Sequence, residues 1–339
     1  MKKLVVTGGL GFIGSNFIKI SLLKGYKVFN IDKVTYAGNK ENLSNFIKNT
    51  NYKFLKADIS KLDIRKKILN FNPDGIIHFA AESHVDRSIE NAKEFLDTNI
   101  MGTYNLLETI RQNKNIKFVH ISTDEVYGDL GKTGKKFNKI SKFDPSSPYS
   151  ASKASADHLV NAWHKTYKIN SVIINCSNNY GPNQYPEKLI PHTILCLIKN
   201  KKIPIYGKGD QIRDWLFVED HCDAIEKVFK YGKQGKTYFV GGKKEMKNID
   251  LIKKIFEIYY KIKKLNKKAE FKNYITFVRD RPGHDTRYSI DTSFIESTLK
   301  WKPKMTLNEG LIKTVNWYLD NTTWIKNLEK KKFKLKRRG

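Results

Sequence analysis

Residues 7–14 read TGGLGFIG, directly after the apolar run KLVVTG at 3–8 and at the head of the helical pattern IGSNFIKISLLKG at 13–25. Gly9, Gly11 and Gly14 satisfy G-x-G-x-x-G, and Gly8, Gly11 and Gly14 satisfy G-x-x-G-x-x-G. Either pattern alone is weak, but its setting between a strand and a helix gives it physical content. Glycines let the backbone turn tightly and approach a pyrophosphate, which the helix N-terminus then holds. Eighteen residues beyond Gly14 the next apolar run, KVFNID at 27–32, ends on Asp32. A carboxylate there accepts hydrogen bonds from adenosine ribose hydroxyls and repels a 2′-phosphate, which favours NAD over NADP. Lys33 beside it works against that selectivity.

Working outward, the first half alternates short apolar runs with longer amphipathic stretches. Further strands are expected at 52–58 (YKFLKAD), 75–81 (GIIHFAA), 117–123 (KFVHIST) and 171–177 (SVIINCS), with helices between them such as TNIMGTYNLLETIRQN at 98–113. Continuous apolar strands joined by helical crossovers imply an α/β fold, a Rossmann-type doubly wound parallel sheet covered on both faces. After about residue 178 the texture changes to Pro- and Gly-bearing loops and a lysine-rich amphipathic pattern at 253–268. The expected organisation is a dinucleotide-binding domain over 1–177, a smaller mixed α/β substrate lobe over 178–325 with some segments returning to the sheet, and a basic tail over 326–339. The cleft between the two would lie above the carboxyl ends of the strands, where ligands of open α/β sheets sit.

Composition narrows the class. The 339 residues leave ample chain for a buried core. Cys176, Cys196 and Cys222 are widely spaced and odd in number, so neither a disulfide framework nor a metal site is expected, and a reducing, cytoplasmic location is. No leader pattern follows the MKK start, and no run is long and apolar enough to span a membrane. A net charge of +29 raises the question of nucleic acid. The excess is mostly lysine spread over nearly every segment, without a recognition motif, so steering of an anionic ligand is the better account. His120 and His221 have no metal-ligand spacing and read as structural; no metal is expected.

The chemistry-bearing residues cluster at two places. SPYSASKAS sets Tyr149 and Lys153 four residues apart at the start of a helix, so both project from one face. A phenol is a poor base near neutral pH, and a nearby ammonium favours the phenolate. STDEVYG at 122–128 places Thr123 and two adjacent acids, Asp124 and Glu125, at the end of the preceding strand. An acid pair in a turn is ordinarily solvated surface. Its position beside the other groups argues otherwise.

With these residues in view the chain resembles the extended short-chain dehydrogenase/reductases, in which a Ser or Thr, a Tyr and a Lys oxidise a sugar hydroxyl with bound NAD. HFAAESHVDRSI at 78–89, STDEVYGD at 122–129, NNYGPNQYPEKLIP at 178–191, GDQIRDWLFVEDH at 209–221 and DRPGHDTRY at 280–288 resemble the dTDP-glucose 4,6-dehydratase subgroup, and the likeness covers residues 1 to about 320. It implies C4 oxidation by Tyr149 with Lys153 and Thr123, elimination of water across C5 and C6 with Glu125 as base and Asp124 as acid, and return of hydride to C6. The residues alone leave the order of the two acids open.

The resemblance further implies a cofactor set of Gly8, Gly11, Phe12, Ile13, Gly14, Asp32, Lys33, Thr35, Asp58, Ile59, Ala80, Ala81, Ser83, Asn99, Tyr149, Lys153 and Asn179. For the nucleotide sugar it implies Ser83, His84, Thr123, Asn178, Lys188, Leu189, Pro204, Ile205, Tyr206, Arg213, Asn248, Asp280, Arg281 and His284. Arg213 and Lys188 suit a pyrophosphate, the first by a forked pair of hydrogen bonds and the second as a point charge. KKEM at 243–246 departs from the more polar turn expected before Asn248. A homodimer through helices including 94–112 and 150–167 is also implied. Three other readings stay open: a dehydratase of a UDP-, CDP- or GDP-linked sugar, a UDP-sugar decarboxylase, and a nucleotide- or nucleic-acid-binding protein that keeps the fold without turnover.

Overall fold

The structure is a computed structural model, and it describes residues 1–265 and 270–330. In chain order the first half gives β1 (Lys3–Thr7), α1 (Phe12–Leu23), β2 (Lys27–Asp32), β3 (Tyr52–Lys56), α2 (Ile64–Phe71), β4 (Gly75–His78), α3 (Val85–Glu90), α4 (Lys93–Phe95), α5 (Gly102–Gln112), β5 (Lys117–Thr123), α6 (Pro148–Tyr167) and β6 (Ser171–Cys176). The second half gives β7 (Asn178–Tyr180), α7 (Leu189–Ile198), β8 (Ile203–Tyr206), β9 (Ile212–Phe217), α8 (Val218–Tyr231), β10 (Thr237–Val240), β11 (Glu245–Lys247), α9 (Asn248–Ile262), β12 (Ile275–Val278), α10 (Ser293–Leu299), α11 (Leu307–Asp320) and α12 (Thr322–Lys330).

Seven strands form one parallel sheet in the order β10-β6-β5-β4-β1-β2-β3. The order reverses between β1 and β4, which opens the crevice above the strand ends at that point. Apolar residues on alternate sides of each strand feed two cores. On one face Leu4, Val6, Val28, Val119 and Val172 pack with Phe17 and Ile18 of α1 and Ile225 and Val228 of α8. On the other, Val5, Phe29, Ile76 and Phe118 pack with Ile64 and Ile68 of α2, Leu106, Leu107 and Ile110 of α5 and Val160 of α6. Both faces are covered, as a parallel sheet requires.

The later elements divide between two places. β10 pairs with β6, and α8 covers the first core, so part of the second half completes the sheet domain. The remainder forms a lobe around α7, α9 and α11, with Ile194, Ile205, Leu251, Ile255, Leu311 and Val315 at its centre. Residues 326–330, expected to belong to the tail, instead continue α12: Ile325 and Leu328 are buried in the lobe core, and that apolar pair outweighs the flanking lysines. The rest of the expected tail lies outside the described residues.

Helix starts that bear on function are capped locally. Ser147 accepts a hydrogen bond from Ser150 N and the Ser150 side chain reaches back, with Pro148 at the first helical position of α6. Such a cap contributes about 1 kcal/mol and fixes where the helix carrying Tyr149 begins. Ahead of α5 the chain makes a π-helical turn, Leu96–Met101, that contains the buried Asn99. Wide turns of this kind often occur at functional sites.

Candidate active site

The β1–α1 turn forms one wall of the crevice. Gly8 has φ +72°, and a Cβ there would sit 2.6 Å from the Ala80 backbone; a Cβ on Gly14 would sit 2.4 Å from the Gly8 carbonyl oxygen. Neither position tolerates a side chain without backbone movement. Gly11 precedes α1 and supplies no side-chain cap, so the first N–H groups of the helix face the crevice. Asp32 is buried, and its two oxygens accept hydrogen bonds from Leu10 N (2.9 Å) and Val34 N (2.7 Å). Burial pushes its carboxyl upward while these two bonds oppose the shift. A carboxylate has about four acceptor positions, so two remain for a diol.

Past β3, Asp58 pairs with Lys33 (2.9 Å), and hydrogen bonds from Ser60 together with that ammonium outweigh burial and hold Asp58 below the usual range. The lysine next to Asp32 is thereby engaged at the far edge of the pocket. These groups fit the parts of a dinucleotide: bare helix N–H groups for the pyrophosphate, glycines that leave room for it, and an acid for a ribose. Gly8→Ala should therefore lower the melting temperature by several degrees and abolish retention of NAD on purification. A left-handed non-glycine residue costs about 1–3 kcal/mol before the clash with Ala80 is counted.

One crevice of about 290 Å³ runs from this turn to the end of β5. Of the residues expected to meet a cofactor, all but Asn99 line it, and so do Thr123, Asp124, Glu125, Asn178 and Lys188. Asn99 lies behind the wall. It accepts from Glu82 N (2.9 Å) and donates to Glu82 O (3.0 Å) and Ser152 Oγ (2.8 Å), thereby holding the segment after β4 against α6.

At the end of β5, Thr123 caps a single 3-10 turn, Asp124–Tyr127, by accepting from Glu125 N. Its hydroxyl also touches Asp124 Oδ1 (3.4 Å) and the phenol of Tyr149. The two acids are placed in unlike surroundings. Asp124 is 1% exposed, and its Oδ2 has no hydrogen-bond partner among the described residues. Burial, then the charges of Glu125 and Asp214, raise its carboxyl well above the usual range, which favours its protonated, proton-donating form. Glu125 is only half-buried and lines the same crevice.

Tyr149 departs from expectation. Burial and the nearby charge of Glu125 raise its phenol well above 10, and the hydrogen bond with Thr123 offsets only part of this. Lys153 Nζ donates to Ile121 O (2.7 Å), and burial lowers its own ammonium to about 8. Desolvation thus dominates the phenol, in place of the lowering by Lys153 expected from their spacing.

Other groups expected at the substrate end gather on the lobe side. Arg213 is buried over the Tyr288 ring (4.2 Å) and donates to the carbonyls of Ile212 (2.8 Å) and Asp285 (2.8 Å). Tyr206 OH donates to Asp86 Oδ2 (2.8 Å), and Arg281 Nη1 stands 3.6 Å from Asp86 Oδ1. His284 Nδ1 lies 2.6 Å from Asp280 Oδ1, and Gln211 Nε2 donates to Asp280 Oδ2 (3.0 Å). Asn248 opens α9 beside Gln211, so it joins this group despite the unexpected turn before it. Ile205 departs: its side chain is 1% exposed within the lobe core, because alternation in β8 turns it away from Pro204's face. Leu189 begins α7 and packs against the same core.

A clasp between the lobes was not anticipated. Arg87 donates through Nε and Nη2 to Glu187 Oε2 (3.1 Å each) and lies 3.6 Å from the centre of the Tyr36 ring, while Lys188 Nζ donates to Ser83 O (2.8 Å). Tyr36 in turn meets Tyr185 edge to face. Arg87 and Glu187 stand within HFAAESHVDRSI and NNYGPNQYPEKLIP, but nothing in either stretch shows that they meet. No group of three metal-ligating residues occurs among the described residues.

Comparison with known proteins gives the family and the fold. The family described as GDP-mannose 4,6 dehydratase matches residues 5–314. The dTDP-glucose 4,6-dehydratase of Neisseria meningitidis serogroup B is 48% identical over 353 residues, covering 100% of this chain and 99% of the relative. The crystal structure of dTDP-glucose 4,6-dehydratase from Bacillus anthracis in complex with NAD matches with a TM-score of 0.88 at 41% identity, covering 97% of this chain and 100% of that one. The corresponding Streptomyces venezuelae enzyme, also with NAD bound, gives 0.89 at 39% identity, covering 96% and 99%. With sequence identity of this order along its whole length, and the same fold, the chain belongs to the dTDP-glucose 4,6-dehydratase family.

Proposed function

We propose that the protein converts dTDP-glucose to dTDP-4-keto-6-deoxyglucose, using tightly held NAD. The observation that carries the reading is the unlike burial of the adjacent acids: a desolvated Asp124 beside a more exposed Glu125, in one crevice with Tyr149. A sugar dehydrogenase or epimerase has no use for an acid and a base at neighbouring positions, whereas an elimination needs both.

Tyr149, hydrogen-bonded to Thr123, takes the proton of the C4 hydroxyl, and Thr123 orients that hydroxyl. When bound, NAD supplies a cationic ring that accepts the C4 hydride and later gives it back at C6. Lys153 adds positive charge on the same side, which is what a phenol raised by burial needs in order to act as a base. The C4 ketone acidifies the C5 hydrogen, Glu125 removes it, and Asp124 protonates the departing C6 hydroxyl as water. Glu125 then returns the proton to C5. Asp124 ends one proton short and Tyr149 one proton over, so the site resets by moving that proton between them.

Arg213 and Lys188 bind the pyrophosphate, with Tyr206, Asp280, Arg281, His284 and Asn248 around the base and Ser83, His84 and Asn178 toward the sugar. Asn179 faces the nicotinamide end, held by His221 Nδ1 at 2.8 Å. The protein is a homodimer through helices including 94–112 and 150–167, where Met101 and Tyr167 are exposed, and it is cytoplasmic, which suits three free buried cysteines.

Offering dTDP-, UDP-, CDP- and GDP-glucose to the purified protein and following 4-keto product decides the substrate. Turnover of UDP-glucose without dTDP-glucose would overturn the choice of base. A deuterium at C4 should reappear at C6 of the same molecule. Asp124→Asn, which keeps the shape but cannot donate a proton, should lower product formation by about 10²-fold or more.

A further inference from the structure

Directly behind the catalytic residues lies a buried polar cluster that the proposed chemistry leaves unused. His120 Nε2 stands 3.5 Å from Lys153 Nζ and 3.2 Å from Asp157 Oδ1. The other oxygen of Asp157 accepts from Ser122 Oγ (2.9 Å) and Asn175 Nδ2 (3.1 Å). Asn175 Nδ2 also donates to Thr123 O (3.0 Å), tying the cluster to the strand end that carries the acid pair. His120 and Asp157 are 0% and 1% exposed. A carboxylate this deeply buried is costly and needs a compensating charge.

We propose that Asp157, held by Ser122 and Asn175 and flanked by His120, is a positioning residue that supplies the counter-charge keeping Lys153 ionised beside Tyr149. This rests on the roles given above to Lys153 and Tyr149. The groups facing Lys153 are Tyr149 and Asp157 on its own helix, His120 on β5, Cys176 on β6 and, behind His120, His78 on β4. Burial holds both histidines neutral, well below their usual value, and pushes the Cys176 thiol up to about 12. Asp157 is raised by the same burial only to about 6, so near neutral pH it is the anion of the set. Neither His120 Nδ1 nor Asp157 Oδ1 has a hydrogen-bond partner among the described residues, and a proton on Nε2 of the neutral ring is the arrangement that offers this carboxylate oxygen a donor at 3.2 Å.

The sign follows directly. Lys153 must be charged, so turnover falls as pH rises through its value. Removing the anion favours the neutral amine and moves that loss to lower pH.

Asp157→Asn retains an oxygen for Ser122 and Asn175 and removes only the charge. In the holoenzyme its alkaline limb of kcat should move down by about one pH unit, with Asp157→Glu restoring it. Lysine labelled with ¹³C at Cε, its Lys153 signal identified by loss in Lys153→Met, should titrate at correspondingly lower pH in Asp157→Asn. In the wild-type protein, ¹⁵N imidazole spectra should show His120 protonated at Nε2, a readout independent of whether any variant folds. An Nδ1-protonated His120, or an Asp157→Asn enzyme slowed equally at every pH with Lys153 titrating unchanged, would overturn the proposal. A wild-type protein inert toward every nucleotide sugar would remove the function, while the Lys153 titration would still decide the role of Asp157.

Discussion

Glu125→Gln is expected to leave substrate oxidised at C4 with its C6 hydroxyl still attached, and to lower formation of the 6-deoxy product by about 10²–10⁴-fold, the usual size of a lost general base. The variant keeps the volume and the hydrogen-bonding edge of the side chain, so the crevice should hold its shape. Proton removal at C4, which the proposed mechanism gives to Tyr149, should be untouched, and on that assignment the two half-reactions should separate. Exchange of the C5 hydrogen with deuterated solvent should vanish in the same measurement. Product formed at the wild-type rate would remove Glu125 from its role and return the acid pair to an electrostatic function.

Tyr149→Phe should have the other large effect, and at the earlier step. The phenol is 8% exposed, so phenylalanine fills the same space and folding should be spared. Neither oxidation at C4 nor any later intermediate should form, with turnover down by about 10³-fold or more. The contrast with Glu125→Gln is the useful part: one variant should accumulate a 4-keto sugar and the other nothing. If Tyr149→Phe still oxidised C4 at a substantial rate, Thr123 would have to be the group that takes the proton.

The sheet was legible because its signals are local. Each strand from β1 to β6 is a short apolar run, and the glycines and Asp32 occupy fixed places around the first of them. That the proposed catalytic residues line one crevice was legible for a similar reason: Tyr149 and Lys153 share one helical turn, and Thr123, Asp124 and Glu125 share one strand end. What the chain did not display depends on distance and on burial. The pairing of Arg87 with Glu187 joins segments 100 residues apart. The phenol of Tyr149 rises because of what surrounds it, which no spacing reports. The same holds for Asp124, whose desolvation distinguishes it from the neighbouring Glu125. Residues 326–330 read as tail from their lysines, yet Leu328, together with Ile325 just before them, seats them in the lobe core.

The returning strand has a consequence for how the molecule is made. Residues 237–240 supply the last strand of the sheet, and α8, just before them, closes one of its faces. During synthesis the nucleotide-binding half therefore leaves the ribosome with β6 as an open edge and with Val172, Ile174 and Val119 uncovered on that face. It stays in that state until the chain has passed residue 240. An open parallel edge with an apolar face is the kind of surface that captures other chains. A fragment ending near residue 177 should thus collect in aggregates, whereas one extended through β10 should remain in solution, and the interval between them is when a nascent chain most needs a chaperone.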